Sequence, residues 1–189
     1  MNVKAYLKIK VIKDGKCIYY RRYRSRSFVA NFINALFTNL SGQSVTLVTT
    51  SGSTSSQSAS QSGNFSLLVS DGSNNDSYGI QIGAGTTAPT ITDYSLSQLI
   101  SNGTSVGQMQ YGAVTVMSPI INTTNNTGYF TVTRAFTNNS GGSITVSEVG
   151  LVMEVFLSYF LIIHDLLPTP ITVPNGSTLS IAYEIQIAT

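Results

Sequence analysis

Charge is what this sequence has least of. Ten basic and eight acidic side chains make up only 10% of its 189 residues, far below the roughly 25% of an ordinary globular protein. Ser, Thr, Asn and Gly supply the polarity instead. Such a surface changes little with pH, because few carboxylates are there to titrate. It suits acid, an extracellular setting, or burial against other subunits, since interface cores are depleted in charge. One cysteine, Cys17, excludes an intramolecular disulfide and reads as a small buried or half-buried hydrophobe on a strand. One histidine, His164, and one cysteine far from it cannot make a zinc site. Phosphate-loop motifs fail as well: Gly83-Ala84-Gly85 lacks the third glycine and the Lys-Ser/Thr that follow in such loops, so it reads as a bend. A long clean apolar run is also missing. The most apolar stretch, residues 149–167, holds Glu154, His164 and Asp165 and runs into Pro168 and Pro170. A membrane span wants about 20 apolar residues, so no transmembrane span is expected there. Residues 1–16 lack the apolar core of a signal peptide, so none is expected.

The charge that is present is unevenly placed. Nine of the ten basic residues (Lys4, Lys8, Lys10, Lys13, Lys16, Arg21, Arg22, Arg24 and Arg26) fall in the first 26 positions. Less Asp14, they give that segment +8; the remaining 163 residues carry Arg134 against seven carboxylates, or −6. This asymmetry implies two surfaces with different partners, the basic one facing something anionic.

Period-2 alternation of Val3, Ala5, Leu7, Ile9 and Val11 with Lys4, Tyr6, Lys8 and Lys10 predicts a half-buried strand. Asp14-Gly15 predicts a hairpin turn into a return strand over residues 16–24. Ser25 or Ser27 then caps an amphipathic helix whose stripe includes Phe28, Phe32, Ile33, Leu36, Phe37 and Leu40, ended by Gly42. Phe28, Phe32 and Leu36 are the expected packing residues. Residues 41–63 are over half Ser and Thr and read as a loose loop, with a weak strand at 45–48. Further strands are expected at 65–69, 78–82, 108–117, 128–137, 143–154, 156–163 and 178–187, and a short helix at 93–100. Residues 138–142 read as a hairpin loop, and 174–176 as the turn before the last strand. The expected fold is mainly β, an antiparallel β-sandwich of jelly-roll-like form with an N-terminal β-hairpin and one amphipathic helix. The expected organisation is a basic hairpin plus helix over 1–42, a Ser/Thr-rich loop over 43–64 and a sandwich over 65–189, together one compact domain.

Catalytic constellations are poor. His164 lies alone in an apolar run and reads as a core or interface histidine rather than a base. Glu148 and Glu154 lie an even number apart on a strand; a glycosidase pair would need them to converge. Asp71 and Asp76 miss the spacing of a calcium loop and read as turn residues. No cofactor is expected, and no enzyme. Eight N-x-Ser/Thr sequons, at Asn39, Asn64, Asn75, Asn102, Asn122, Asn125, Asn138 and Asn175, read mainly as turns. The basic hairpin is the candidate site. Lys8, Lys10, Arg21, Arg22 and Arg24, with Tyr20 and Tyr23, fit docking on an acidic subunit first. Contact with nucleic acid through phosphates and stacking comes second, and protection of an edge strand third.

Three segments carry a resemblance: residues 81–96, with Gly83-Ala84-Gly85 and Asp93-Tyr94; residues 131–151, with Thr137-Asn138-Asn139-Ser140-Gly141-Gly142; and residues 161–185, with His164-Asp165 and Pro174-Asn175-Gly176. With the opening Asp14-Gly15 hairpin and residues 27–32, they resemble β-rich virion proteins of tailed phages and archaeal viruses, spindle-shaped ones among them. The likeness is to tail, adaptor or vertex types. It spans most of residues 1–40 and 78–187. The resemblance implies a non-enzymatic subunit of an oligomeric tail, portal-adaptor or vertex ring, located in the virion. Its partners would be copies of itself and other virion proteins, with packaged DNA as a further contact of the hairpin. Two alternatives stand beside this: a receptor- or glycan-binding tail-tip or spike module, and an extracellular carbohydrate-active enzyme.

Overall fold

The computed structural model describes residues 2–25, 27–58 and 67–188. Strand β1 (Asn2–Lys13) turns into β2 (Lys16–Ser25) through Asp14 and Gly15, both at positive φ, 49° and 73°. Aspartate and glycine tolerate that left-handed backbone, and the tight two-residue loop matches the twist of the strands it joins. β1 also pairs with the last strand, β12 (Thr178–Ala188), from Asn2 opposite Ala188 to Ile12 opposite Thr178. Ala5, Leu7, Ile9 and Val11 thereby reach the core, where none is more than 1% exposed. The basic hairpin is thus built into the main sheet.

That sheet continues through β9 (Thr127–Thr137) in the order β2-β1-β12-β9. The short strands β6 (Gln110–Tyr111), β7 (Thr115–Val116) and β8 (Ile120–Asn122) all pair with β9. A second antiparallel sheet holds β5 (Gly79–Gly83), β10 (Ile144–Val155) and β11 (Ser158–Val173) in the order β11-β10-β5. Inward residues of both sheets form one core: Leu7, Ile9, Val132, Phe136, Ile181 and Tyr183 on one side, Ile80, Ile82, Val149, Leu151, Phe160 and Ile163 on the other. The protein is mainly β, and the shared core is that of a β-sandwich.

Several expectations are corrected. The loop at residues 138–142 does not close a hairpin, because β9 and β10 lie in different sheets; it carries the chain across. So does the turn at 174–176, between β11 and β12. Asn138, fully buried, ties the two crossings together. Its amide donates to Gly142 and Val173 carbonyls at 2.8 Å, and its N–H bonds Ser177. The hairpin is instead β10–β11, turning at Phe156 and Leu157. The helix expected at 93–100 is absent: Asp93 bonds the Thr90 N–H and hydroxyl and closes a turn instead. Residues 45–57 are no loose loop. They form the β3 (Val45–Val48) and β4 (Thr54–Gln57) hairpin with Leu47 buried. Of the strand expected at 65–69, residues 65 and 66 lie outside the described residues, as does all of 59–64; Leu68 makes a lone bridge to Glu154.

The one helix, α1 (Ala30–Ser41), ends where expected, with Gly42 at φ 68°. It starts later, after Val29, and no side chain caps it. Its orientation is the larger correction. The buried residues are Asn31, Ala35 and Thr38, one face at i, i+4, i+7. Ile33, Leu36, Phe37 and Leu40 of the apolar stripe face outward, 58%, 39%, 46% and 79% exposed. Leu36 therefore does not pack on the sheets of its own chain. Phe32 and Phe28 are half-buried against the core and lie against each other, ring centres 4.4 Å apart and planes tilted by 36°. Asn31 explains the choice of face: its amide donates to the carbonyls of Val48 and Leu161 and accepts from the Val48 N–H. A buried amide with three partners pins the helix by its polar side.

Candidate functional site

On a sheet with one buried face, register decides which side chains meet. Buried Ile9 opposes Arg21 and buried Leu7 opposes Tyr23, whereas Tyr6 opposes Arg24, Lys8 opposes Arg22 and Lys10 opposes Tyr20. Lys8, Lys10, Arg22, Arg24 and Tyr20 therefore share the outer face with Lys4 and Tyr6. Arg21 and Tyr23 lie on the inner side at the edge, where Tyr23 packs on the core beside Tyr19. The sequence set is thus split by the sheet. Burial, then its hydrogen bond to Tyr19, pushes the Tyr23 hydroxyl up to about 12.

The outer face holds one carboxylate, Glu184 of β12, 8% exposed. It receives Lys8 Nζ at 2.5 Å and Arg22 at 3.1 Å. Burial would raise its pKa, but the two cations bring it below the usual carboxylate range. The Arg22 guanidinium lies 3.6 Å over the Tyr6 ring, and Lys10 approaches the Tyr20 ring at 5.8 Å. Beyond Glu184 the face is uncharged, with Ser180, Ala182, Thr131, Thr133, Ala135, Gln186 and Tyr129 at outward register positions, and Tyr129, Met117 and Ile120 line a hollow beside Lys8 and Glu184.

The seven carboxylates of the acidic remainder do not form an acidic surface. Asp71, Glu148, Asp165 and Glu184 are buried, and Asp76, Asp93 and Glu154 are half-buried. Asp71 meets the guanidinium of Arg134, 1% exposed in the core. Arg134 also donates to the carbonyls of Gly112, Tyr78, Ile80, Gly72 and Asn75 and lies 4.7 Å over the Tyr111 ring. A buried cation survives only with its donors so satisfied. Sequence reading passed this residue over; a lone arginine between inward Val132 and Phe136 on an alternating strand was the available signal.

His164 is buried as expected, but it is not solitary. Its Nε2 lies 2.9 Å from Glu148 and its Nδ1 2.6 Å from Asp93. Glu148 also accepts N–H bonds from Gly85, Ser97 and Gln98 and the Ser97 hydroxyl. Burial disfavours charge on both groups. The His164 bond and these donors nonetheless hold Glu148 at about 2, and the two carboxylates raise His164 above its ordinary value. Imidazolium with both nitrogens donating is the state that satisfies both neighbours. The three groups form a chain, clamping residues 83–98 onto β10 and β11; they do not converge on an open point. Glu148 and Glu154, six positions apart on β10, are separated by about 20 Å of strand and make no pair across a cleft. Asp71 caps a turn through the Gly72 N–H, as read from sequence. Among the described residues no His, Cys, Asp and Glu group is arranged to hold a metal, and no helix is long and apolar enough to cross a membrane. Cys17 is exposed, against expectation.

A cavity of about 350 Å³ opens between the sheets, lined by Phe32, Val116, Phe130, Leu151, Ile162 and Ile185 among others. Its apolar wall offers a sugar few hydrogen-bonding groups. Comparisons with protein-family models, curated proteins and solved structures find no match for this chain.

Proposed function

We propose that the protein is a structural subunit of a virion, in a tail, portal-adaptor or vertex ring, and meets copies of itself or other virion proteins through the outer face of α1. The observation that carries this reading is the outward stripe of Ile33, Leu36, Phe37 and Leu40. Folding the single chain does not use it, and exposed apolar stripes of this kind suit contacts with other subunits. The scarcity of outward charge away from the hairpin supports the same reading, as does the resemblance of residues 81–96, 131–151 and 161–185 to virion proteins. As a finer description of the fold we propose jelly-roll-like wrapping: the first strand lies beside the last, and both crossings run between sheets, although the β10–β11 hairpin departs from it. Light scattering on the full chain tests the assembly. The expected result is a species well above 20.2 kDa that dissociates in the double variant Leu36→Ser, Leu40→Ser with unchanged circular dichroism. A wild type that stays monomeric over the whole concentration range, or a variant that assembles as well as wild type, overturns the reading.

A further inference from the structure

We propose that the outer face of the β1–β2 hairpin is a nucleic-acid surface that holds the phosphodiester backbone. Edge protection does not account for it. Charged side chains on β2 would guard an edge, but β1 is paired on both sides, and Lys4, Lys8 and Lys10 belong to β1. Another copy of the chain does not account for it either. Among the described residues the only exposed carboxylate is Asp14, at the tip of the hairpin itself, so a second copy has no acidic face to offer.

What remains is an anionic molecule of another kind, and the composition of the face selects among those. Protein interfaces have cores enriched in aromatic and apolar groups and depleted in charge. Interfaces with nucleic acid are more polar and far more positive. Here Lys4, Lys10 and Arg24 have no carboxylate partner among the described residues, while Lys8 and Arg22 share Glu184. The sheet beside them carries mostly hydroxyls and methyls, with Gln186 opposite Lys4 and Tyr129 next to it. Tyr20, 46% exposed between these cations, offers a ring on which a base can stack. Glu184 spaces the positive groups and deters closer approach at the centre, which favours backbone contact along the hairpin over a compact anion. This inference does not rest on the virion reading.

The test is fluorescence anisotropy of the purified full chain with a mixed-sequence single-stranded DNA and with its duplex, over a salt series. Three free cations predict a log–log salt slope of about −2 on the single strand, from counterion release of about 0.7 per phosphate contact, without sequence preference. Lys10→Ser with Arg24→Ser should flatten that slope by more than half and weaken binding at least tenfold. Arg21→Ser, on the other side of the sheet, should cost far less. Tyr20→Ala should weaken the single strand about tenfold and the duplex little. Circular dichroism checks each fold. No binding at low salt, equal losses from Arg21→Ser and Arg24→Ser, or poly-glutamate or anionic vesicles binding where DNA does not, would overturn the proposal.

Discussion

Glu148 shows how one residue fixes a stretch of chain. Its two oxygens take donors from Gly85, Ser97, Gln98 and His164, so residues 83–98 are held to the second sheet by a carboxylate that is 0% exposed. Glycine is required where the loop passes closest. A Cβ on Gly85 would lie 1.8 Å from Ser97 Oγ and 2.5 Å from Glu148 Oε1, so Gly85→Ala should force the carboxylate off its donors. We expect Glu148→Ala to cost about 3–5 kcal/mol in denaturant unfolding, because it strands a buried imidazole and three N–H groups. Gly85→Ala should lose a large part of the same amount. A loss under about 1 kcal/mol for Glu148→Ala would mean that the network adds no more than a surface contact. Arg134 poses the same question in the other sheet. Arg134→Met keeps volume but leaves Asp71 and several carbonyls unpaired, and should destabilise by a similar amount.

At the scale of elements, α1 and the β10–β11 turn both depart from what folding alone would choose. Because α1 attaches by Asn31, Ala35 and Thr38, Leu36→Asp should change unfolding free energy by no more than about 0.5 kcal/mol, as surface substitutions do. Ala35→Asp should cost several, by burying a charge. The reverse order would mean that the helix packs by its apolar stripe after all. At the turn, Phe156 and Leu157 hold φ of 48° and 61° while 48% and 82% exposed. Bulky residues in that backbone region cost on the order of 1–3 kcal/mol each. Replacing the pair by Asn-Gly should therefore stabilise the isolated chain, measured by thermal unfolding. Stabilisation accompanied by weaker assembly would assign the turn a role at an interface. These elements also mark how far the sequence could be read. The β1–β2 hairpin was legible, since alternation and Asp-Gly specify it locally. So was the end of α1, at Gly42. Its facing was not, because periodicity defines a stripe and does not say whether the chain or a neighbour covers it. The β9–β10 crossing was misread because a loop rich in Asn and Gly serves a hairpin and a change of sheet equally. Asp93, Glu148 and His164 could not be joined from sequence: their separations of 16 and 71 residues carry no local signal.

Across the whole molecule the charge separation is real but is not one between two surfaces. The hairpin displays its cations, and the carboxylates elsewhere are folded in, each near a donor or a cation. That arrangement gives stability a definite dependence on pH. His164 has a folded pKa raised above its ordinary 6.5, so its contribution is complete below about 6.5 and is lost as pH climbs through the raised value. Glu148 falls from 4.5 to about 2, and Asp93 and Glu184 lie below their ordinary 3.8 and 4.5. Their contributions are complete above about 4.5 and are lost as pH drops towards 2. The two conditions overlap between about pH 4.5 and 6.5, so thermal stability should peak in mild acid and decline on both sides of it. His164→Gln, which keeps a donor for Glu148 and removes the titrating proton, should flatten the alkaline limb and leave the acid limb in place. A wild-type profile still rising from pH 6.5 to 8.5, or a variant with an unchanged alkaline limb, would show that the imidazolium between Asp93 and Glu148 does not set the pH dependence of the fold.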